Sequence, residues 1–155
     1  RNGTTTLYAA LNVLDGKVIG HCVPRCCAKE FIKFLAKIDG ATPPHLELHV
    51  IVDNSSTHKT EEVRRWLRRH RRFHLHFTPT SGSWLNLVES WFAILTKQRI
   101  RRGVFRSVPE LIAAIDDYLR VYNATPTQFE WTKDADEILA KIERARRVMT
   151  RRVGK

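Results

Sequence analysis

The sequence contains few of the residues that mark disulfide-stabilised, disordered or membrane-spanning chains. Its three cysteines, Cys22, Cys26 and Cys27, are odd in number and include a vicinal pair, which does not suit a disulfide framework. Their spacing matches no paired Cys-x-x-Cys zinc pattern, so core or surface thiols are expected. Only seven Gly and six Pro occur in 155 residues, which argues against disorder. No apolar run approaches the roughly 20 residues of a membrane helix. We expect one reduced, cytoplasmic globular domain, at most with a small appendage, and no membrane partner.

Acidic residues are scarce beside basic ones. Lys and Arg total 27 against 16 Asp and Glu, a net charge of +11. This balance favours a polyanionic partner, above all nucleic acid, although a solvated basic surface without a partner is the alternative. Apart from a third cluster at the end of the chain, the clustered basic residues are Arg64, Arg65, Arg68, Arg69, Arg71 and Arg72, and Lys97, Arg99, Arg101, Arg102 and Arg106. We expect these clusters to contact the phosphate backbone of DNA without reading its sequence.

The pattern of apolar residues predicts strands and helices in a mixed α/β order. Strands are predicted over 4–14, 17–23, 46–52 and 73–77, and helices over 26–38, 60–69, 84–95, 107–122 and 133–148. Asp15-Gly16 between the first two strands is a strong hairpin signal. A hairpin followed by alternating helices and strands indicates a mixed sheet with helices on both faces.

Two acidic residues stand where chemistry is expected. Asp53 directly follows the apolar segment Val50-Ile51-Val52, and open α/β sheets bind ligands at the carboxyl ends of their strands. Glu89 lies on the shoulder of the apolar stripe of an amphipathic helix, 35 residues beyond Asp53 when positions 54 to 88 are counted. Alternatively, Asp53 belongs to an ordinary Asx turn and Glu89 is a boundary residue with a solvated carboxylate.

As a pair, Asp53 and Glu89 are typical of metal-dependent nucleic-acid chemistry. Two Mg²⁺ ions bound by carboxylates can activate a water or a 3′-hydroxyl and stabilise the leaving oxygen. Asn54 and His58 could orient water, phosphate or Asp53, or could simply cap the loop by hydrogen bonds. A site of this kind normally needs a third acid. No good candidate is present, since Asp15 falls in the hairpin turn and Asp39 at a helix end.

Four motifs carry a resemblance to a known family. They are Val52-Asp53-Asn54 with His58; Pro79-Thr-Ser-Gly-Ser-Trp-Leu-Asn-Leu-Val-Glu89-Ser-Trp-Phe92; Tyr122-Asn123 with Pro126, Phe129 and Trp131-Thr132; and Arg1-Asn-Gly-Thr-Thr-Thr-Leu-Tyr-Ala-Ala-Leu-Asn12. With these motifs the chain resembles the IS630 group of DDE transposases, relatives of the Tc1/mariner transposases.

The resemblance implies an RNase H-like mixed sheet flanked by helices, with Mg²⁺ or Mn²⁺ as cofactor and DNA as partner. It implies cleavage at transposon ends and transfer of a 3′-hydroxyl to target DNA. Asp53 would be the second acid of the catalytic triad, Glu89 the third, and Asn86 a supporting residue. The first acid of the family lies on a first strand upstream of the segment that matches Arg1 onward. We therefore expect that strand to be missing here, together with the family's helix-turn-helix region.

These expectations define two hypotheses. The first is a DDE catalytic-domain fragment, with residues 1–125 as a partial RNase H-like domain and 126–155 as a C-terminal helix and basic tail. It would be inactive alone, cytoplasmic and associated with a bacterial nucleoid. The second is a non-enzymatic DNA-binding or dimerisation module derived from a transposase. Because a missing strand exposes backbone edge, we also expect marginal stability, homo-oligomers or pairing with an intact transposase.

Overall fold

The structure is a computed structural model that describes residues 3–78 and 87–127. The elements are β1 (Thr6–Leu11), β2 (Val18–Val23), α1 (Ala28–Ala41), β3 (Leu48–Val52), a 3₁₀ turn (Ser56–Lys59), α2 (Glu61–Arg69), β4 (Phe73–Phe77), α3 (Val88–Leu95), a π-helical turn (Thr96–Ile100) and α4 (Val108–Ala124). This order confirms the predicted elements within the described ranges. The predicted helix over 133–148, the basic tail and the start of the helix at Trp84 lie outside them.

The hairpin of β1 and β2 is confirmed, with shorter strands than predicted. The strands pair antiparallel from Thr6 opposite Val23 to Leu11 opposite Val18. The predicted first strand was too long, because the chain turns between Asn12 and Lys17, where Val13 and Leu14 are exposed. Gly16 has a φ of 74°, a left-handed conformation that glycine adopts without strain.

Helix α1 continues further than predicted. A break was expected from position 40, but the helix runs through Gly40 to Ala41 and ends at Thr42, directly before Pro43. The ring of a proline disfavours helical backbone in the residue before it, so the helix stops there. In the last turn, an added Cβ at Gly40 would meet open space.

The four strands form two separate sheets. The β1–β2 pair is antiparallel, and β3 pairs in parallel with β4, from Leu48 opposite Phe73 to Val52 opposite Phe77. One mixed sheet was predicted, and among the described residues no ladder joins β1 or β2 to β3 or β4. Isolated two-stranded sheets are marginally stable in water, so the packing of helices must hold these two pairs in place.

Side chains cover the outer edge of β2. The Asn12 N–H bonds the Lys17 carbonyl at 2.8 Å, so by alternation the backbone groups of Val18 and Gly20 point away from β1. The Asn123 amide accepts from the Val18 N–H at 2.9 Å and donates to the Val18 carbonyl at 2.8 Å. The Lys37 ammonium donates to the Gly20 carbonyl at 2.7 Å. The Asn123 amide thus makes the two hydrogen bonds to Val18 that a neighbouring strand would otherwise make.

The same alternation identifies the open edges. The backbone groups of Leu7, Ala9 and Leu11 point away from β2, and they have no hydrogen-bond partner among the described residues. In the second sheet, the Leu48 N–H bonds the Arg72 carbonyl at 2.7 Å and the Thr78 N–H bonds the Val52 carbonyl at 2.9 Å. The intervening groups of β3 at Ile51 therefore point away from β4. Both β1 and β3 present an unpaired edge.

Helix α1 joins the two sheets through one hydrophobic cluster. Its inward face consists of Phe31, Phe34, Leu35 and Ile38, as the helical periodicity predicted, and all four are buried. From the first sheet Tyr8, Ala10 and Ile19 pack on this cluster; from the second sheet and α2 come Leu48, Val50, Val52, Phe73, Val63 and Trp66. The Tyr8 ring stacks on Phe34 with centroids 5.5 Å apart. The cluster spans the interval between β1 and β3.

A second cluster lies on the opposite face of the β1–β2 sheet. Trp91 and Leu95 of α3 pack with Ile115 and Leu119 of α4 against Val18. At Gly20 an added Cβ would come within 2.4 Å of Leu119 Cδ1, so any other residue at this position would require the Leu119 side chain to move. Ser107 begins α4 as predicted, since its Oγ accepts from the Glu110 N–H at 3.3 Å.

No helix in the described ranges is long and apolar enough to cross a bilayer.

Arg72 fastens the start of β4 to the end of α1. Its Nε donates to Asp39 Oδ1 at 2.8 Å, and its terminal nitrogens donate to the carbonyls of Asp39 at 2.7 Å and Pro43 at 2.6 Å and to Thr42 Oγ1 at 3.0 Å. The Arg72 side chain is only 16% exposed. Arg72 was predicted to belong to a DNA-contacting cluster, and this part of the prediction is wrong, because its guanidinium is engaged inside the fold.

Replacing Arg72 with alanine should destabilise the protein by about 2–3 kcal/mol, because the carboxylate and carbonyls that it satisfies lose their donor. Arg71→Ala removes an equal charge from the exposed neighbouring position and should change the free energy of unfolding by about 0.5 kcal/mol or less. Urea unfolding monitored by circular dichroism measures both. Equal losses in the two variants would mean that Arg72 acts only through its charge.

Candidate active site

Asp53 stands at the carboxyl end of β3. Because β3 and β4 are parallel, Val52 and Phe77 end the two strands side by side. Asp53 follows at once, with a side chain 57% exposed. The chain then turns into the 3₁₀ helix, where Ser55 Oγ accepts from the Thr57 N–H at 3.4 Å. This is the position at which α/β sheets present ligand-binding side chains.

The largely buried His58 ring contacts Asp53. His58 Nδ1 lies 2.9 Å from Asp53 Oδ1 and 3.3 Å from the Asp53 carbonyl oxygen. The imidazole is only 10% exposed, and it packs on the Phe31 ring with centroids 4.2 Å apart. The α1 cluster therefore fixes His58, and His58 in turn limits the orientations of the Asp53 carboxylate. Both alternatives predicted for His58, loop capping and orientation of Asp53, are compatible with these contacts.

Asn54 and Lys59 form the outer wall of this turn. Lys59 Nζ donates to Asn54 Oδ1, and the same ammonium lies 5.1 Å from the centroid of the Phe77 ring, within the range of a cation–π contact. Asn54 is thus engaged locally, close to Asp53. The Lys59 ammonium is thus held between Asn54 and the Phe77 ring.

Glu89 lies in the first turn of α3, and its side chain is exposed. The buried residues of the helix are Trp91 and Leu95, so Glu89 lies away from the core-facing stripe. Within the described chain its carboxylate forms no hydrogen bond or ion pair. Asn86, predicted as a supporting residue, lies outside the described residues.

The other acids with described contacts do not complete a triad. Asp15 Oδ1 accepts from the Lys17 N–H at 2.9 Å in the hairpin turn, and Asp39 pairs with Arg72, so the expectation that neither is the missing acid stands. No group of three or more His, Cys, Asp or Glu in residues 3–78 and 87–127 is arranged to hold a metal ion. Asp53 and Glu89 offer the carboxylate oxygens that Mg²⁺ prefers, but they are two donors where a full site needs more.

Within the described residues, neither the cysteines nor His49, His74 and His76 belong to a metal-binding group. All three cysteines are free, and burial raises the pKa of the Cys22 thiol, which disfavours the thiolate that a metal would need. On the exposed face of the parallel pair, the His49 ring stacks on those of His74 and His76 with centroids 4.8 and 5.2 Å apart. His74 Nε2 contacts Glu47 at 2.6 Å. Sequence reasoning gave no signal for this stack, because it depends on the β3–β4 register.

The predicted DNA-binding residues are exposed in two places, and their role stays a prediction. They are Arg64, Arg65, Arg68 and Arg69 on α2, and Lys97, Arg99, Arg101 and Arg102 in and after the π-helical turn. Arg64 and Arg68 pair with Glu61, and the bond from Arg68 lowers the pKa of that carboxyl. Helix α2 runs away from the Asp53 end of the sheet for about 13 Å, so its last arginines lie near the opposite end.

Known proteins resemble this chain in family and fold. The sequence profile of a family described as "DDE superfamily endonuclease" matches residues 1–112. Curated proteins gave no match. Among solved structures, a chain of the simian T-cell lymphotropic virus intasome in complex with PP2A regulatory subunit B56 gamma superposes with a TM-score of 0.51 at 14% identity. The alignment covers 87% of this chain and 46% of that chain, so this chain spans less than half of its length. The small sheets flanked by helices are thus RNase H-like, which confirms the predicted fold class.

His58 should carry its neutral-state proton on Nδ1, because that nitrogen faces Asp53 Oδ1 and the Asp53 backbone carbonyl oxygen. Nitrogen-15 NMR of the imidazole reports the tautomer directly. In Asp53→Ala the Nδ1 tautomer should lose its carboxylate acceptor and decline, while the ring of the exposed His45 should stay unchanged. A predominantly Nε2-protonated His58 in the unaltered protein would contradict the proposed hydrogen bond.

Proposed function

This chain belongs to the DDE superfamily endonuclease family, and we propose that it forms part of the catalytic domain of an IS630-type transposase. Its substrate would be DNA, with Mg²⁺ or Mn²⁺ as cofactor, and its reaction cleavage and strand transfer at transposon ends. The observation that carries the proposal is Asp53, an exposed carboxylate at the end of β3 that His58 orients from inside the fold.

In this proposal Asp53 and Glu89 act as metal ligands. The bound ions would activate the attacking oxygen and stabilise the leaving one. The residues of the chain position those ligands: Phe31 supports the His58 ring, and His58 restricts the Asp53 carboxylate. Asn54, the residue after Asp53, is hydrogen-bonded by Lys59. Such preorganisation matters because phosphoryl transfer depends largely on positioning and charge stabilisation.

The remaining acid, the first of the triad, would come from a strand inserted between β1 and β3. Both strands have open backbone edges, and both pack on the same α1 cluster through Tyr8 and Val50. One added strand could pair with each edge and merge the two sheets into one mixed sheet. The family resemblance assigns the first catalytic Asp to a strand of this kind. In our proposal the present chain alone binds DNA but does not cut it.

A nicking assay on supercoiled plasmid tests this proposal. The present chain should leave the plasmid intact with Mg²⁺, whereas a version extended by the residues encoded upstream of Arg1 should nick it. In the extended version, Glu89→Gln and Asp53→Asn should each lower the nicking rate by roughly 10³-fold or more, since the acids act as a unit. Glu62→Gln, a change of another exposed acid, should leave the rate unchanged. Full activity in Glu89→Gln would contradict the assignment.

The open edges also favour a second candidate, a DNA-binding or dimerisation module without catalysis. Unpaired strands recruit other chains, and such a module could associate with an intact transposase through β1 or β3. It would need no metal, so salt-dependent DNA binding in EDTA together with an inactive extended version would favour it over the enzyme.

Pairing through these edges has a measurable consequence for the present chain. Light scattering should find dimers or larger species, and thermal unfolding should depend on protein concentration. A monomer that melts sharply, reversibly and independently of concentration would contradict pairing. That result would leave the assignment of Asp53 and Glu89 untouched.

A further inference from the structure

An open groove runs along the face of α3 that carries Glu89. Its lining residues are Phe92, Ala93, Thr96, Lys97 and Arg101, and its volume is about 450 Å³. Phe92, Ala93, Thr96 and Lys97 follow Glu89 by three, four, seven and eight residues, the spacing of a single helical face. The groove therefore begins one turn beyond Glu89 and leads away from it.

The π-helical turn brings Arg101 onto this face. The Arg101 N–H bonds the Thr96 carbonyl at 2.9 Å, five residues back, so the turn contains one more residue than an α-helical turn. In an uninterrupted α-helix, at about 100° per residue, Ile100 would lie on the Glu89 face and Arg101 roughly 120° away from it. The extra residue moves Arg101 into the groove and lets Ile100 pack on the cluster of Trp91 and Leu95.

The chemistry of the groove fits a phosphodiester backbone. Phe92 and Ala93 supply apolar surface for sugars, and Lys97 and Arg101 supply cations that form no ion pair with a described residue. No acid occurs between Glu89 and Arg101. From Glu89 to Lys97 the helix rises about 12 Å, on the order of four nucleotide steps at about 3.4 Å each.

We propose that this groove holds the phosphate backbone of the DNA strand that leaves the metal site at Glu89, with Lys97 and Arg101 as its phosphate contacts. The inference rests on the proposed function and refines it. Of the four basic residues at the end of this helix, Arg99 and Arg102 are exposed but do not line the groove. Their predicted contact with DNA would lie outside the groove.

Two charge-matched double variants test the proposal. Binding of a fluorescein-labelled 20-base-pair DNA duplex is measured by anisotropy in EDTA over a series of salt concentrations. Lys97→Gln with Arg101→Gln should weaken binding at least tenfold and reduce the salt slope by about 2, since each phosphate contact contributes roughly 0.9. Arg25→Gln with Lys29→Gln removes the same charge from exposed positions outside the predicted DNA-binding residues and should change affinity less than threefold at an unchanged slope. Equal losses of affinity in the two double variants would contradict the proposal that Lys97 and Arg101 contact phosphates in the groove.

The outcomes separate this inference from the proposed function. If the unaltered chain binds DNA and both double variants weaken that binding equally, the proposed role of the groove is wrong and the proposed function is unaffected. If the unaltered chain does not bind even at low salt, both fail. Circular dichroism establishes that each variant is folded.

Deleting Gln98 tests the role of the extra residue. The shortened turn can become α-helical while Arg101 and Ile100 keep their faces. The deletion should therefore preserve DNA affinity within about threefold, and a tenfold loss in a folded deletion variant would contradict the proposed geometry.

Discussion

The apolar face of helix α1 is the constraint on which the rest of the fold depends. Two-stranded sheets are marginal alone, and the two pairs found here share no ladder. Phe31, Phe34, Leu35 and Ile38 are buried against both, so a single helix fixes the interval between β1 and β3. Arg72 reinforces that arrangement by tying the end of α1 to the start of β4. A substitution on the apolar face of α1 would therefore alter the packing of both sheets.

This dependence extends to the two acids, because the elements that carry them pack in different hydrophobic clusters. Asp53 follows β3 and is oriented through His58 by the α1 cluster. Glu89 begins a helix that packs on the opposite face of the β1–β2 sheet. Their separation is therefore set by how far apart the two sheets are held. In the proposed enzyme, a strand between β1 and β3 would fix that distance by backbone hydrogen bonds, so it would position Asp53 and Glu89 as well as supply the remaining acid.

The sequence predicted what depends on local periodicity and left out what depends on distant partners. The stripe of α1, the Gly16 turn and the Ser107 cap are local patterns, and the structure confirms them. The Asn123 amide at the edge of β2 joins residues 105 positions apart, which no local pattern encodes. The fate of Arg72 likewise depends on carbonyls that converge only in the folded chain. For Asp53 the position at a strand end and an orienting role of His58 were predicted, whereas the packing of His58 on Phe31 joins residues 27 positions apart and follows no local pattern.

Net charge alone overstates the surface available to DNA. Arg64 and Arg68 pair with Glu61, Arg120 pairs with Asp117, and Arg72 is engaged inside the fold. A cation already satisfied by a carboxylate has less to gain from a phosphate, because the exchange replaces one ion pair by another. Lys97 and Arg101 differ: they lie on the Glu89 face without a described acidic partner. In the proposed complex, position and pairing rather than the number of basic residues select those that would face DNA, and the π-helical turn places Arg101 on the Glu89 face.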